Sequence, residues 1–287
     1  MELENLLKEL KLSQYISLDL ETTGLDPYNC GITEVSAYRF INGEPVEEFT
    51  SLVNPEYPIP QNIVDLTGIN SKMVYDKPLI KDILPDLFDF IAHDPIVGQN
   101  IGFDISFLEN ACKKNGISFP DYIYYDTLSL AKTFLFFLER FNLAYLGEYF
   151  GLEIDGAHRA SIDTLKTGLV FSNLIIEVAS TPKQIIQTIS DITDHFNFYN
   201  KDLFNNILEV ASLNQKEKGL LKSKIKKTIP KHFYKHNGTN LTHSIPSDIK
   251  EWLNDEGEIS KNWPSFEKRE SQIDLASDIY STFKEDS

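Results

Sequence analysis

Only two cysteines, Cys30 and Cys112, occur in the 287 residues. They form no C-x-x-C pair, sit in no zinc-ligand spacing, and are too few for a disulfide framework. A reduced, cytosolic setting is the simplest reading. No window reaches the roughly 18 apolar residues that a membrane span needs. The opening MELENLLKELKL is short and amphipathic, with acids among its first residues. It has neither the basic start nor the apolar run of a signal peptide. Basic residues are also scarce, 27 Lys and Arg against 43 Asp and Glu, for a formal net charge of −16. That balance argues against a histone-like, generic nucleic-acid binder. It leaves open a local phosphate site where metal ions or a basic patch offset the acid. No internal repeat and no low-complexity tract occurs. No G-x-x-x-x-G-K-[ST] occurs either, which excludes a P-loop ATPase in the chain as it stands.

What is present reads as an α/β pattern. YISLDL (15–20), ITEVSAYRF (32–40) and EEFTSLV (47–53) have strand character. Asn42-Gly43 between the last two is a hairpin signal. The chain therefore opens with an antiparallel meander. PLIKDILPDLFDFIAH (78–93) has helical spacing, with Pro85 expected to kink it. PIVGQN (95–100) is a short buried strand, FDISFLENACKKNG (103–116) a helix ending in Asn-Gly, and YIYYDT (122–127) another strand. LSLAKTFLFF, LAYLGEYF and SIDTLKTGLVFSNLIIEVA read as helices. A meander followed by alternating helices and strands predicts a mixed sheet with helices on its faces. A domain boundary is expected near Ser180-Thr181-Pro182. This divides the chain into a domain at 1–180 and a mainly helical C-terminal extension at 181–287.

The acids raise the chemical question. Asp19 and Glu21 lie two apart in a strand that otherwise reads as buried, so they share a face. Side by side they repel, and desolvation drives one toward its protonated form. A divalent cation relieves both penalties, and hard oxygen ligands suit Mg²⁺ or Mn²⁺. The plainer alternative has one acid exposed at the strand's end and the other capping a turn. Asp104 sits where a short strand turns into a helix and could simply cap it. Asp163 falls in the first turns of a long helix, where an acid complements the helix dipole. His158, five residues earlier, could be an ordinary loop histidine.

Taken together, DLETTG, QNIGFDISFL and HRASIDT resemble the three motifs of the DnaQ-like proofreading exonuclease superfamily. The type is the one with a histidine in its third motif (DEDDh). The motifs stand in the family's order, H-x-x-x-x-D matches at His158 and Asp163, and NPEYPIPQNIVDLTGI (54–69) is similar to the family's connector. The likeness covers about residues 13 to 178. One departure is visible: many relatives carry His-Asn before the second motif, where this chain has Gln99-Asn100.

The resemblance implies an RNase H-like fold with a five-stranded mixed sheet. It also implies 3′→5′ removal of nucleotides from a nucleic-acid end, single-stranded DNA before RNA. Two metals, Mg²⁺ or Mn²⁺, would be held by Asp19, Glu21, Asp104 and Asp163, with Asp19 the expected bridging ligand. Hydrolysis of a phosphodiester by in-line displacement suits two ions about 3.5–4 Å apart. His158 is the expected general base, since an ordinary histidine titrates near neutrality. Thr22, Thr23, Gly24 and Leu25 are expected to hold the terminal nucleotide, Leu25 wedging against its base. Asn100 and Phe103 are candidates for the same role, although a phenylalanine beside a helix start also suits a core. Tyr124 and Tyr125 read as sheet and core residues.

The tail has a different character. KEKGLLKSKIKKTIPKHFYKH (216–236) holds eight lysines and one glutamate, a solvated face or a guide for single-stranded nucleic acid. WPSFEKRESQIDLASDIYSTF, through Phe266, Arg269 and Gln272, resembles the adenine-contacting segment that precedes the first ATPase motif of DinG-type helicases. The chain is then expected to be the front part of such a protein. A helicase or polymerase is the expected partner beside a nucleic acid with a free 3′ end, and no membrane. A non-catalytic nucleic-acid-binding module of such an assembly is the competing reading, and an exoribonuclease acting on short RNA is a third.

Overall fold

The computed structural model describes residues 3–152, 160–195 and 198–213. Its centre is a five-stranded sheet in the order β3-β2-β1-β4-β5. The strands are β1 (Gln14–Thr22), β2 (Ile32–Ile41), β3 (Glu44–Leu52), β4 (Ile96–Gly98) and β5 (Tyr124–Asp126). β1, β2 and β3 pair antiparallel, and β1–β4 and β4–β5 pair parallel. The expected mixed sheet is the observed one. Asn42 and Gly43 both take positive φ, 54° and 89°, which joins β2 to β3 through the tight turn that matches strand twist.

Helices cover both faces. They are α1 (Leu3–Glu9), α2 (Gln61–Thr67), α3 (Ser71–Val74), α4 (Ile80–Ile91), α5 (Gly102–Asn115), α6 (Thr127–Phe134), α7 (Leu143–Tyr149), α8 (Ala160–Ser180), α9 (Lys183–Thr193) and α10 (Lys201–Leu213). α4 runs through Pro85 as one helix. α6 stops at Phe134, short of the run that the sequence suggested, and Phe136 and Phe137 are exposed beyond it.

The period-2 pattern of β1 sorts two cores. Ile16, Leu18 and Leu20 enter the cluster formed with α4 and α5, whereas Tyr15 enters the cluster formed with α8. Tyr15 therefore marks the α8 face, which by alternation it shares with Ser17, Asp19 and Glu21. Its ring stacks on Phe40, its partner in register, with centroids 5.0 Å apart. Its hydroxyl donates to the Gly168 carbonyl at 3.0 Å and lies 2.7 Å from Ser172 Oγ. A side chain at Gly168 would overlap the Phe40 ring, so this glycine sets how closely α8 approaches the sheet. α9 and α10 extend the same cluster with Ile186, Leu203, Phe204, Ile207, Val210 and Ala211. Among the described residues no helix is long and apolar enough to cross a membrane.

Candidate active site

The anchor at Tyr15 determines what lies further along. Four residues on, Asp19 is about 13 Å along the strand. Nine residues back from Ser172, Asp163 is about 13 Å along the helix. α8 starts at the C-terminal end of β1, because the Ala160 N–H donates to Glu34, the register partner of Glu21. The two levels thus coincide, and Asp163 arrives opposite Asp19.

The electrostatics record the same convergence. The Asp19 carboxyl is held well above its ordinary range, first by burial, then by the charges of Asp104, Glu21, Asp163 and Glu34. Asp104 enters from the neighbouring element. β4 runs parallel to β1, and the turn after it starts α5, so Asp104 falls in that helix's first turn. It is buried and accepts the Leu20 N–H at 3.0 Å. Burial pushes its carboxyl up to about 8, with Glu21 and Asp126 adding to the rise and the N–H groups of Leu20 and Asp104 opposing it. Asp19, Glu21, Asp104 and Asp163 are therefore one electrostatic group. His158 lies outside the described residues.

The loop after β1 is closed by its own bonds. Thr22 Oγ1 donates to the Gly24 carbonyl at 2.7 Å. The Thr23 N–H donates to Gly31 O at 2.9 Å, and Thr23 Oγ1 accepts the Gly31 N–H at 3.0 Å. Asp26 accepts from the Tyr28 N–H and the Asn29 side chain. Thr22 and Thr23 are buried by this closure, while Leu25 is left 85% exposed at the tip. A β-carbon at Gly24 would sit 2.7 Å from Cys30 Sγ, so the loop packs tightly there. Asn100 is exposed and takes φ 64°. Phe103 is half-buried on Phe107, with centroids 4.9 Å apart. Tyr125 is buried against Phe171. At the departure from the family pattern, Gln99 uses both ends of its amide: Nε2 donates to Phe141 O at 2.8 Å, and Oε1 accepts from Thr127 Oγ1.

Three polar residues of this region were not singled out from the sequence. Glu34 is 1% exposed and faces Glu21 across the strand pair. An acid inside the apolar run ITEVSAYRF was the available signal, the same one that marked Asp19. Asp126 is buried at the end of β5, where it accepts the Asn100 N–H and caps α6. Asn200 is fully buried against Asp126, and nothing local in the sequence announces it.

The donor set is chemically suited to Mg²⁺ or Mn²⁺, because it consists of hard oxygens and carries surplus negative charge. Among the described residues no three His, Cys, Asp or Glu side chains close around a single metal-sized point. That openness is compatible with Mg²⁺, which keeps waters and takes substrate phosphate oxygens beside one or two carboxylates.

The RNase T family, described as exonucleases, matches residues 16–171. A PolC-type DNA polymerase III of Caldanaerobacter subterraneus subsp. tengcongensis is 32% identical over 179 residues, which are 62% of this chain and 13% of that protein. The 3′-5′ exonuclease DinG of Bacillus subtilis is 25% identical over 284 residues, 94% of this chain and 29% of that one. The DNA polymerase III subunit epsilon of Aquifex aeolicus is 33% identical over 165 residues, 57% of this chain and 81% of that one. The chain thus spans less than a third of the PolC and DinG relatives. In fold it is similar to the nuclease domain of 3′hExo, a DEDDh family member (TM-score 0.52, 17% identity, 57% of this chain and 92% of that one). It is also similar to E. coli Exonuclease I in complex with a dA16 oligonucleotide (TM-score 0.51, 19% identity, 61% and 45%).

Proposed function

The chain belongs to the RNase T family of exonucleases, and from that premise we propose that it is a metal-dependent 3′→5′ exonuclease. It releases nucleoside monophosphates from single-stranded DNA. The observation that carries this reading is the gathering of Asp104, Glu21 and Asp163 around the half-buried Asp19, whose carboxyl they and its burial push upward. Four carboxylates near enough to raise one another's proton affinity are a net cost to a folded protein unless cations share them. Their charge would balance two divalent ions, Mg²⁺ or Mn²⁺, held by these four residues. When bound, the ions would supply a nucleophilic hydroxide and neutralise the leaving oxygen.

The chain's own groups do the rest. Leu20 N–H and the burial of Asp104 fix one acid at the strand's edge. α8 carries Asp163 to the other side. His158 removes the proton of the attacking water through its imidazole, the role its residue type suits near neutral pH. The loop Thr22–Gly31, shaped from within by the buried Thr22 and Thr23, offers its turn at Gly24 to the terminal nucleotide and the exposed Leu25 to its base. Asn100 and Phe103 border the same end. The domain runs past residue 180, since α9 and α10 share the core of α8, and the chain beyond it leads toward a helicase or polymerase partner in the cytoplasm. The 94% of this chain that DinG matches supports that arrangement.

Incubation of the purified chain with 5′-labelled single-stranded DNA and a matched RNA, each with Mg²⁺, Mn²⁺ or chelator, tests this reading. A one-nucleotide ladder shortening from the 3′ end, dependent on metal and faster on DNA, is expected. Internal cuts, or no product with either metal, would overturn it.

A further inference from the structure

We propose that Asn200, the residue before α10, is a positioning residue for the second acidic motif. The inference rests on the exonuclease reading above. α9 and α10 lie beyond residues 16–171, which the family matches. They are nonetheless tied to the site by a short chain of hydrogen bonds. Asn200 Oδ1 accepts the Asp126 N–H at 2.9 Å, and its Nδ2 donates to the Asp126 carbonyl at 3.1 Å and to Ser129 Oγ at 2.7 Å. One fully buried amide thus grips both backbone groups of Asp126. An asparagine just before a helix ordinarily caps that helix; this one is committed to another element instead.

Asp126 passes the grip onward. Its Oδ1 accepts the Asn100 N–H at 2.7 Å. Asn100 is in the left-handed region, φ 64°, a conformation that residues with side chains adopt only occasionally. Its carbonyl accepts the Phe103 N–H at 3.0 Å, so it forms the turn from which α5 and Asp104 start. The Asp126 carboxylate holds that turn, and Asn200 holds Asp126. Tyr199 adds a second contact, since a β-carbon on Gly102 would meet its Oη at 3.0 Å. The helical pair after the family's matched segment is therefore a brace for the turn that sets Asp104.

The test uses full-length protein and the variants Asn200→Ala, Ser129→Ala and Asn205→Ala. Asn205 accepts from Ser190 Oγ at 3.2 Å between α10 and α9 and has no link to Asp126, so it reports on helix docking alone. With a native circular-dichroism spectrum, N200A should lower kcat about tenfold, the equivalent of one lost hydrogen bond in the transition state. KM for oligonucleotide should change little, and Mn²⁺ affinity measured by calorimetry should weaken. N205A should lose thermal stability and keep kcat. By ¹⁵N NMR the Asn100 amide should exchange at least tenfold faster in N200A than in the parent. If N200A does not fold, S129A takes its place and should give smaller changes of the same kind. Unchanged Asn100 exchange, or a kcat loss that N205A shares, overturns the proposal. An inactive parent defeats the exonuclease reading instead, and the exchange measurement still decides whether Asn200 braces the turn.

Discussion

Asp104 is a carboxyl that folding has buried among other acids, and its preference for the proton up to about pH 8 follows. A raised folded value means that its contribution to stability is whole below the ordinary carboxylate range. That contribution is lost as the pH rises through about 8. Near neutrality and without metal, Asp104→Asn should therefore stabilise the protein. The amide oxygen can still accept the Leu20 N–H, and the neutral amide needs no proton taken up on folding, as the buried carboxyl does. A gain on the order of 2 kcal/mol is expected in chelator, read as a higher thermal midpoint, with nuclease activity abolished. Excess Mg²⁺ should shrink the difference by raising the parent's midpoint. An Asp104→Asn protein less stable than its parent in chelator would show that burying this carboxyl carries no such cost. Glu34 poses the opposite case. Glu34→Ala leaves the buried Ala160 N–H without this acceptor, a cost of about 1–3 kcal/mol, and loosens the start of α8. Glu34→Gln keeps an acceptor. Thermal unfolding should rank the parent, Gln and Ala forms, with Ala the least stable. Activity should fall in E34A through misplacement of Asp163.

At the scale of elements, α8 shows two local rules in conflict. Alanine is a better helix former than glycine by roughly 1 kcal/mol, so Gly168→Ala ought to stabilise an isolated helix. In the protein the added methyl would run into the Phe40 ring, and overpacking costs typically about 1–3 kcal/mol. The steric term should win. A midpoint lowered by several degrees is expected, at roughly 2–4 °C per kcal/mol for a domain of this size; a rise would mean that α8 can lift from the sheet freely. The strands, the Asn42-Gly43 turn and the α5 stop at Gly116 were legible because each depends on local chemistry: period-2 alternation, positive φ, a left-handed cap. Asp19, Glu21, Asp104 and Asp163 stood out together through motifs that resemble those of the DnaQ-like family, and the fold brings them into one electrostatic group. The end of α6 was not, because Leu128, Leu130, Phe134 and the residues after them stay apolar while the helix stops at Phe134. The partners of Asn200 and Glu34 were illegible for a different reason, although Glu34 itself carried a signal as an acid inside an apolar run. Those partners lie 74 and 126 residues away, and only tertiary packing brings them into reach.

For the whole molecule the question is how a chain of net charge −16 attracts a polyanion. Its acidity opposes nucleic acid at long range, and that repulsion is screened by salt. The lysines of 216–236 stand against this trend, eight positive charges against one negative. If they guide the strand, each phosphate they neutralise should contribute about −0.7 to the slope of log affinity against log salt. Replacing Lys222, Lys224, Lys226 and Lys227 by glutamine should then raise KM for a long single strand. The salt slope should flatten by up to roughly 3. Hydrolysis of a dinucleotide, too short to reach beyond the acids, should be unaffected, because the four variants alter capture of the strand and not its cleavage. Steady-state kinetics on both substrates over a range of salt would separate the two effects. Equal losses on both would place those lysines in the fold rather than on the path of the strand.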